Sequence, residues 1–159
     1  MPSDIAAWAN GLRQAHFPPE RNRLRAHVTL FHALPPSAEG EVRRLLGSLT
    51  AAPPPRARIL GLMKLGRGTA IRIESAAMSA LHREIAERMR GLLTSQDQQP
   101  PRLHVTIQNK VTVDEAKALY ATLAPTIGPR DFRFRGIGLY GYDAGDWVPV
   151  RDFPFRGAV

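Results

Sequence analysis

A four-residue pattern occurs twice in this chain and constrains its architecture more than any other feature. Residues 27–30 read His-Val-Thr-Leu, and residues 104–107 read His-Val-Thr-Ile, 77 positions further along. The same offset aligns further pairs: Gly61 with Gly138, Leu62 with Leu139, Gly68 with Gly145, and Ile71 with Val148. A single 77-residue offset that holds across most of each half indicates an internal duplication. Such repeats set the architecture of a fold. We therefore predict two related lobes.

Both halves predict the same order of elements, in which a helix, a strand with the repeated motif, a second helix and two strands follow one another. In the first half we predict a helix over 4–15 capped by Ser3 or Asp4, a strand over 26–31, a helix capped by Ser37, and strands over 57–65 and 69–74. In the second half we predict a helix over 76–93, the second motif strand, a helix that the capping box Thr112-Val113-Asp114-Glu115 opens and Pro125 ends, and strands over about 132–140 and 147–152.

The predicted fold class is α+β, in a single domain over residues 1–159 that is long enough to bury a core. It is bilobal and pseudo-symmetric: lobes of approximately 1–66 and 67–159, which can exchange strands, each have a small, mainly antiparallel sheet backed by helices. We expect the active cleft between the two sheets. A lobe on this plan has a strand before its first helix, and the first helix begins almost at Met1. Either the chain starts late or another segment completes that sheet. In the first case, we expect a strand to be missing beside 26–31 or 58–64, which leaves an open sheet edge.

Strand geometry explains why each motif combines polar and apolar residues. Side chains alternate across a strand, so His27 and Thr29 share one face, while the intervening aliphatic residues take the other. His104 and Thr106 share a face in the same way. The apolar face must pack on the helices, so each His-Thr pair faces away from them. In two lobes related by a pseudo-two-fold axis, these polar faces can converge on one cleft.

Two histidines that face one cleft suit acid–base chemistry, because one imidazole can accept a proton while the other donates one. Each threonine hydroxyl can donate to a non-bridging phosphoryl oxygen. Neither strand carries an accompanying carboxylate, which argues against a metal site, so we expect neither a metal nor another cofactor. A single His-x-Thr strand is a weak signal, since most such histidines only hydrogen-bond a neighbour. The duplication at matching positions favours the functional interpretation.

Charge points to the class of partner. The chain has 22 Lys and Arg, mostly arginine, against 14 Asp and Glu, which gives a net charge of +8. This balance favours phosphate-bearing partners, although a GC-rich genome also enriches arginine. The absence of cysteine excludes disulfides, thiolate zinc sites and a cysteine nucleophile. Neither a long apolar run nor a secretory signal is visible, so we expect no membrane association and a cytoplasmic location.

The paired motifs HVTL and HVTI, with HFPPERN before the first and QNKV after the second, resemble the two-histidine phosphoesterase superfamily, specifically 2′-5′ RNA ligase-like proteins. The resemblance covers nearly the whole chain. It implies a bilobal α+β fold and metal-free action on 2′,3′-cyclic phosphates or 2′-5′ linkages in RNA or nucleotides. The family's motif positions correspond to His27, Thr29, His104 and Thr106. Members usually begin with a strand ahead of the first helix. This chain departs from that pattern, and the difference concerns one sheet edge and not the catalytic residues.

Several other residues are weaker candidates. Arg25, Arg102 and Lys110 flank the motifs and could contact phosphate, or could equally be solvated surface charges. Tyr140 or Tyr142 could stack on a base, although packing is the commoner role of such residues. His32 would lie on the apolar face of its strand, which favours a structural role. Neither His82 nor His16 repeats at the offset.

The favoured function is a metal-independent phosphodiesterase that opens 2′,3′-cyclic phosphates, with His27 and His104 as general acid and base in an order that the sequence leaves open. By reversibility, the same site could act as a 2′-5′ RNA ligase. The predicted partners are RNA ends or nucleotides bearing a 2′,3′-cyclic phosphate. One alternative is an RNA- or nucleotide-binding module without turnover. Another is a hydrolase of a cyclic phosphate unrelated to RNA.

Overall fold

The computed structural model describes residues 1–158, which form an α+β fold with two compact units, as the sequence predicts. Four α-helices are present: α1 (Ser3–His16), α2 (Glu39–Leu49), α3 (Ala76–Arg88) and α4 (Val113–Leu123). Six strands accompany them: β1 (Arg56–Lys64), β2 (Gly68–Glu74), β3 (His104–Asn109), β4 (Arg130–Arg133), β5 (Gly136–Asp143) and β6 (Asp146–Pro154). Short 3-10 turns lie at Pro19–Arg21, Pro36–Ala38 and Ala124–Thr126.

The first unit comprises Met1–Thr29, Ala57–Ser75 and Arg102–Phe132. The second comprises Leu30–Arg56, Ala76–Pro101 and the chain from Arg133 onward. Each unit therefore takes segments from both halves of the sequence instead of dividing the chain near residue 66. The duplication predicted one histidine motif in each lobe, whereas the first unit holds both.

A four-stranded sheet in the order β3-β2-β1-β4 forms the centre of the first unit. Its apolar face is tightly buried, with Ile59, Ile71 and Val105 each 1% exposed. Burying one such side chain stabilises a fold by about 1.5–3 kcal/mol. α4 packs on β2, where the Thr69 hydroxyl donates a 3.3 Å hydrogen bond to the Ala116 carbonyl. α1 packs along β3.

The second unit combines α2, α3 and the β5–β6 hairpin. Its core is a cluster of Ala38, Val42, Leu46, Ile85, Met89 and Phe153. The hairpin turns at Ala144 and Gly145, whose φ angles of 47° and 95° both lie in the left-handed region. Asp143 pairs with Asp146, which makes this a two-residue turn. Positive φ at both central residues is what such a tight turn requires.

The structure corrects the predicted strand over 26–31, which is an irregular segment. The reason lies in its hydrogen-bond donors. The Ala26 N–H donates to the Asn10 side chain at 2.7 Å, and the His32 and Ala33 N–H groups donate to the Asp97 carboxylate at 3.0 Å. Because side chains already satisfy these donors, no neighbouring strand is needed to pair with them.

The expected open edge at 58–64 is also wrong, because β1 lies between β2 and β4. The free edges of the described sheet are β3 and β4 instead. The prediction treated 132–140 as one strand, but the chain divides it into β4 and β5. Between the two strands, the Phe134 N–H donates to the Pro55 carbonyl.

Helix termini were predicted with mixed success. The capping box at Thr112 is confirmed: its hydroxyl accepts the Glu115 N–H at 3.2 Å, and the Glu115 carboxylate accepts the Thr112 N–H at 2.8 Å. Caps at Ser3, Asp4 and Ser37 are wrong, since Pro2 and Ala38 occupy the N-cap positions of α1 and α2 and no side chain caps either helix. The helix predicted over 76–93 ends at Arg88, three residues before Gly91, whose φ is 85°.

Candidate active site

The second motif lies on β3, where its side chains alternate as the sequence predicts. Val105 and Ile107 are 1% and 0% exposed, while His104 and Thr106 are only partly buried. Strand pairing places His104 directly opposite Arg72 and Thr106 opposite Ala70. Residues paired in this way present their side chains on the same face of the sheet. The polar face of the sheet thus carries a histidine, a threonine and an arginine.

Arg72 was missed by the sequence analysis. The signal for it was the alternation Ile71-Arg72-Ile73, in which both isoleucines are buried and the arginine is exposed. This period of two indicates an arginine on the polar face of a strand. Only the register of β2 against β3 brings it next to His104, and the register could not be read from the sequence.

The two motif histidines share one hydrogen-bond arrangement. The Nδ1 of His27 lies 2.7 Å from the Arg25 carbonyl oxygen, and the Nδ1 of His104 lies 2.5 Å from the Arg102 carbonyl oxygen. A carbonyl oxygen can only accept, so each Nδ1 carries the hydrogen and donates it. In a neutral ring the Nε2 then has the free lone pair, and in a charged ring the Nε2 carries the transferable proton. Both rings therefore present Nε2 for proton transfer.

The environment of His27 favours its neutral form. Although the residue keeps solvent exposure, desolvation of its ring by the surrounding protein lowers the pKa of His27 below the ordinary value of 6.5. The hydrogen bond to the Arg25 carbonyl acts in the opposite direction. Positive charge at Arg13 and at His104 lowers the pKa of His27 further.

The motif threonines lie in the same unit as the histidines. Thr29 and Thr106 are half-buried, and neither hydroxyl forms a hydrogen bond within residues 1–158. A half-buried hydroxyl without an internal partner can donate to a bound oxyanion. One compact unit therefore contains all four predicted motif residues.

Helix α1 contributes two side chains that the sequence analysis did not identify. Arg13 is 5% exposed as a whole residue, and its guanidinium donates to the Thr106 carbonyl at 2.6 Å and to the Asn22 Oδ1 at 2.7 Å. It also lies 4.5 Å from the ring centre of Phe17. Asn10, one turn earlier, accepts the Ala26 N–H beside His27. The available signal was an arginine that continues the buried spacing of Ile5 and Ala9 along α1.

The flanking candidates have different positions. Arg25, Arg102 and Lys110 are exposed, and none of them forms an ion pair with the described carboxylates. The backbone carbonyls of Arg25 and Arg102 orient the histidines, a role that side-chain reasoning could not find. Lys110 follows β3 with a φ of 59°. Tyr140 belongs to the second unit, where it is exposed on β5.

His32 and His82 have structural partners, as expected for His32. Its Nδ1 lies 2.8 Å from the buried Asp97 carboxylate. His82 is buried and stacks on Phe31 with ring centres 4.3 Å apart. Within residues 1–158, no group of three or more His, Asp or Glu side chains could hold a metal ion. In the same residues, no helix combines the length and apolarity needed to span a bilayer.

Comparison with known proteins agrees with the interpretation of the motifs. The family model of the 2′-5′ RNA ligase superfamily matches residues 1–146. The crystal structure of TT0787 of Thermus thermophilus has a similar fold, with a TM-score of 0.62, 14% sequence identity, and coverage of 99% of this chain and 94% of that chain. No curated protein sequence matches significantly. The chain therefore belongs to the 2′-5′ RNA ligase superfamily, a family of phosphoesterase and ligase enzymes.

Proposed function

We propose that the protein is a metal-independent phosphodiesterase that opens 2′,3′-cyclic phosphates at RNA ends or on nucleotides. The observation that carries this proposal is the shared arrangement of His27 and His104. In each ring a backbone carbonyl two residues upstream accepts the Nδ1 hydrogen, which leaves Nε2 for the substrate. Two imidazoles fixed in the same way are suited to proton transfer at one phosphorus atom.

We assign His27 as the general base for hydrolysis, because its lowered pKa favours the neutral ring that accepts a proton. The Nε2 of His27 takes a proton from water as the water oxygen forms a bond to phosphorus. The bond from phosphorus to one ribose oxygen breaks, and His104 gives that oxygen its Nε2 proton. One proton enters at His27 and one leaves from His104, so the two rings exchange protonation states until solvent restores them.

The other polar groups act on the phosphoryl oxygens. The hydroxyls of Thr29 and Thr106 donate to the non-bridging oxygens, on which negative charge accumulates in the transition state. Arg72, opposite His104, adds a positive charge on the same sheet face. Each of these groups stabilises charge without any need for a metal ion.

The same site supports ligation when an RNA 5′-hydroxyl replaces water as the nucleophile. The 5′ oxygen forms the new bond to phosphorus, and the 3′ oxygen of the cyclic phosphate leaves with a proton from His104. The product is a 2′-5′ linkage. The reverse reaction uses the same two rings with their roles exchanged, as microscopic reversibility requires.

The proposal is tested with nucleoside 2′,3′-cyclic monophosphates and with an oligonucleotide that ends in a 2′,3′-cyclic phosphate, each incubated in EDTA. We expect ring opening by the wild-type protein, and loss of it in His27→Ala and His104→Ala. His16→Ala serves as the matched control, because His16 ends α1 outside the motifs. Binding without turnover of any substrate would favour the binding module. Turnover of the mononucleotides but never of the oligonucleotide would limit the substrate to small cyclic phosphates.

A further inference from the structure

Arg13 is an unusual residue in the first unit, because it buries a positive charge without a matching negative one. As a whole residue Arg13 is 5% exposed, and its guanidinium has no ion-pair partner among the carboxylates of residues 1–158. Its Nε is buried without a hydrogen-bond partner. Burial lowers the pKa of Arg13, since desolvation disfavours the charged form. An uncompensated buried cation destabilises a fold, so the contacts it makes must offset that effect.

Those contacts join the two parts of the candidate active site. One guanidinium nitrogen donates to the backbone carbonyl of Thr106, in the second motif. The other donates to the side chain of Asn22, in the loop that leads to the first motif. The planar guanidinium holds both donors in a fixed geometry, which a flexible ammonium group cannot reproduce.

The first motif needs such an anchor because it does not belong to the sheet. His27 lies on an irregular segment, so strand pairing does not set its position relative to β3. Asn10 lies three residues before Arg13 and therefore on a neighbouring part of the helix surface. Its side chain accepts the N–H of Ala26, the residue before His27. Two side chains of α1 thus hold one motif each.

We propose, on the basis of the function proposed above, that Arg13 is a positioning residue of the two-histidine reaction. It fixes the backbone at Thr106 relative to the segment that carries His27, with Asn22 as its second acceptor and Asn10 as a parallel anchor. Arg13 acts through the motifs and does not itself touch the substrate.

The charge of Arg13 has a second effect on the same histidine. The charged groups that act on His27 are Arg13 from α1 and His104 from β3, and both lower the pKa of His27. Arg72 of β2 stands beside His104 on the sheet. Removal of the Arg13 charge should therefore raise the pKa of His27 and reduce the fraction of neutral base near neutral pH. Loss of an arginine whose charge lies far from His27 would not produce this change.

The test compares Arg13→Gln, Arg13→Lys and Asn22→Ala. In Arg13→Gln we expect kcat to fall by about 10²-fold, the effect of an ångström-scale misplacement, with a nearly unchanged KM. The acidic limb of its pH–rate profile should move to higher pH, and so should the His27 titration followed by NMR. Arg13→Lys keeps the charge, so it should lower kcat without moving the acidic limb of the pH–rate profile. Asn22→Ala should lower kcat by a smaller factor, also without moving the limb.

Arg130→Gln is the matched control, because Arg130 donates a 2.6 Å hydrogen bond to Asp4 at the other end of α1. This variant should leave the kinetics unchanged. Melting temperatures show which variants fold. Wild-type kcat in Arg13→Lys and Asn22→Ala would overturn the proposal even if Arg13→Gln does not fold. If the wild-type protein opens no cyclic phosphate, the proposed function fails separately. The NMR titration then still decides the positioning claim, since an unmoved His27 pKa and unchanged His27 resonances in every Arg13 variant would contradict it.

Discussion

His104 of β3 stands directly opposite Arg72 of β2 in an antiparallel pair, so the two side chains share the exposed face of the sheet. This relationship places an arginine without a carboxylate partner, among the described residues, beside one of the two proposed proton-transfer groups. On the proposed function, a phosphate bound at His104 would lie beside that arginine. The proposed function therefore predicts that Arg72 contributes to anion binding on the polar face of the sheet.

Arg72→Ala should therefore weaken substrate binding more than it slows proton transfer. A hydrogen bond to a charged group contributes about 1.5–3 kcal/mol, so kcat/KM should fall by about 10- to 100-fold, mainly through KM. Steady-state kinetics on a cyclic mononucleotide would measure this. Arg58→Ala is a suitable control on the same sheet, because Arg58 pairs with Asp131 at 3.5 Å. An equal loss in both variants would contradict a specific role for Arg72.

The motif threonines should matter less than the histidines. Thr29→Ala or Thr106→Ala removes one hydrogen bond to the phosphoryl group and leaves both imidazoles in place, so we expect losses of about 10-fold or somewhat more in kcat/KM. Thr29→Ser and Thr106→Ser, which keep the hydroxyl, should restore most of the activity. A serine variant as impaired as the alanine variant would point to packing of the methyl group instead.

Protein stability should fall as the pH drops below about 6.5, the ordinary histidine pKa. Burial lowers the pKa of both His27 and His82, so the unfolded chain binds more protons than the folded one between the lowered and ordinary values. Stability then rises with pH across this window and is complete above it. Urea unfolding at pH 7.5 and 5.5 measures the difference. His82→Phe, which keeps a ring beside Phe31, should flatten the dependence, and an unchanged slope would contradict the assignment.

Asp97 should contribute strongly to the stability of the second unit. Asp97 is 3% exposed, and its carboxylate accepts hydrogen bonds from the His32 N–H, the Ala33 N–H and the His32 ring. Burial alone would raise the pKa of Asp97, but these hydrogen bonds outweigh it and the pKa is lowered. Asp97→Ala should destabilise the protein by about 2–5 kcal/mol, since it leaves several donors unpaired. This contribution is lost only as the pH falls through the lowered pKa, well below the histidine window.

Local patterns predicted the elements that local chemistry determines. The period of two in 103–107 gave the faces of β3 correctly, and the Thr112 to Glu115 spacing gave the capping box. The first motif has the same sequence pattern but not the same structure. The Asn10 side chain, 16 residues away in sequence, accepts the hydrogen bond from the Ala26 N–H. A neighbouring strand would otherwise accept that hydrogen bond. A pattern confined to the motif could not reveal that competition.

The candidate site also contains residues that local sequence patterns could identify and residues that they could not. His27, Thr29, His104 and Thr106 could be chosen because their residue types and duplication point to proton transfer on a phosphate. Arg72 and Arg13 could not be chosen in this way. The position of Arg72 depends on strand register, and the position of Arg13 depends on the docking of α1 against β3. Tertiary contacts decide both. At the 77-residue offset Arg72 falls on Pro149 and Arg13 falls on Arg90, and a repeated arginine alone does not indicate a site.

The most direct test of the central claim is the rate of 2′,3′-cyclic phosphate opening in EDTA by the wild-type protein, His27→Ala, His104→Ala and the double variant. Each single substitution removes one proton-transfer partner and should lower kcat by about two to four orders of magnitude. The double variant should be scarcely slower than either single variant, because groups that act as one unit have strongly non-additive effects. Wild-type activity that requires a divalent metal, or a double variant whose loss is the product of the two single losses, would contradict a paired acid–base mechanism.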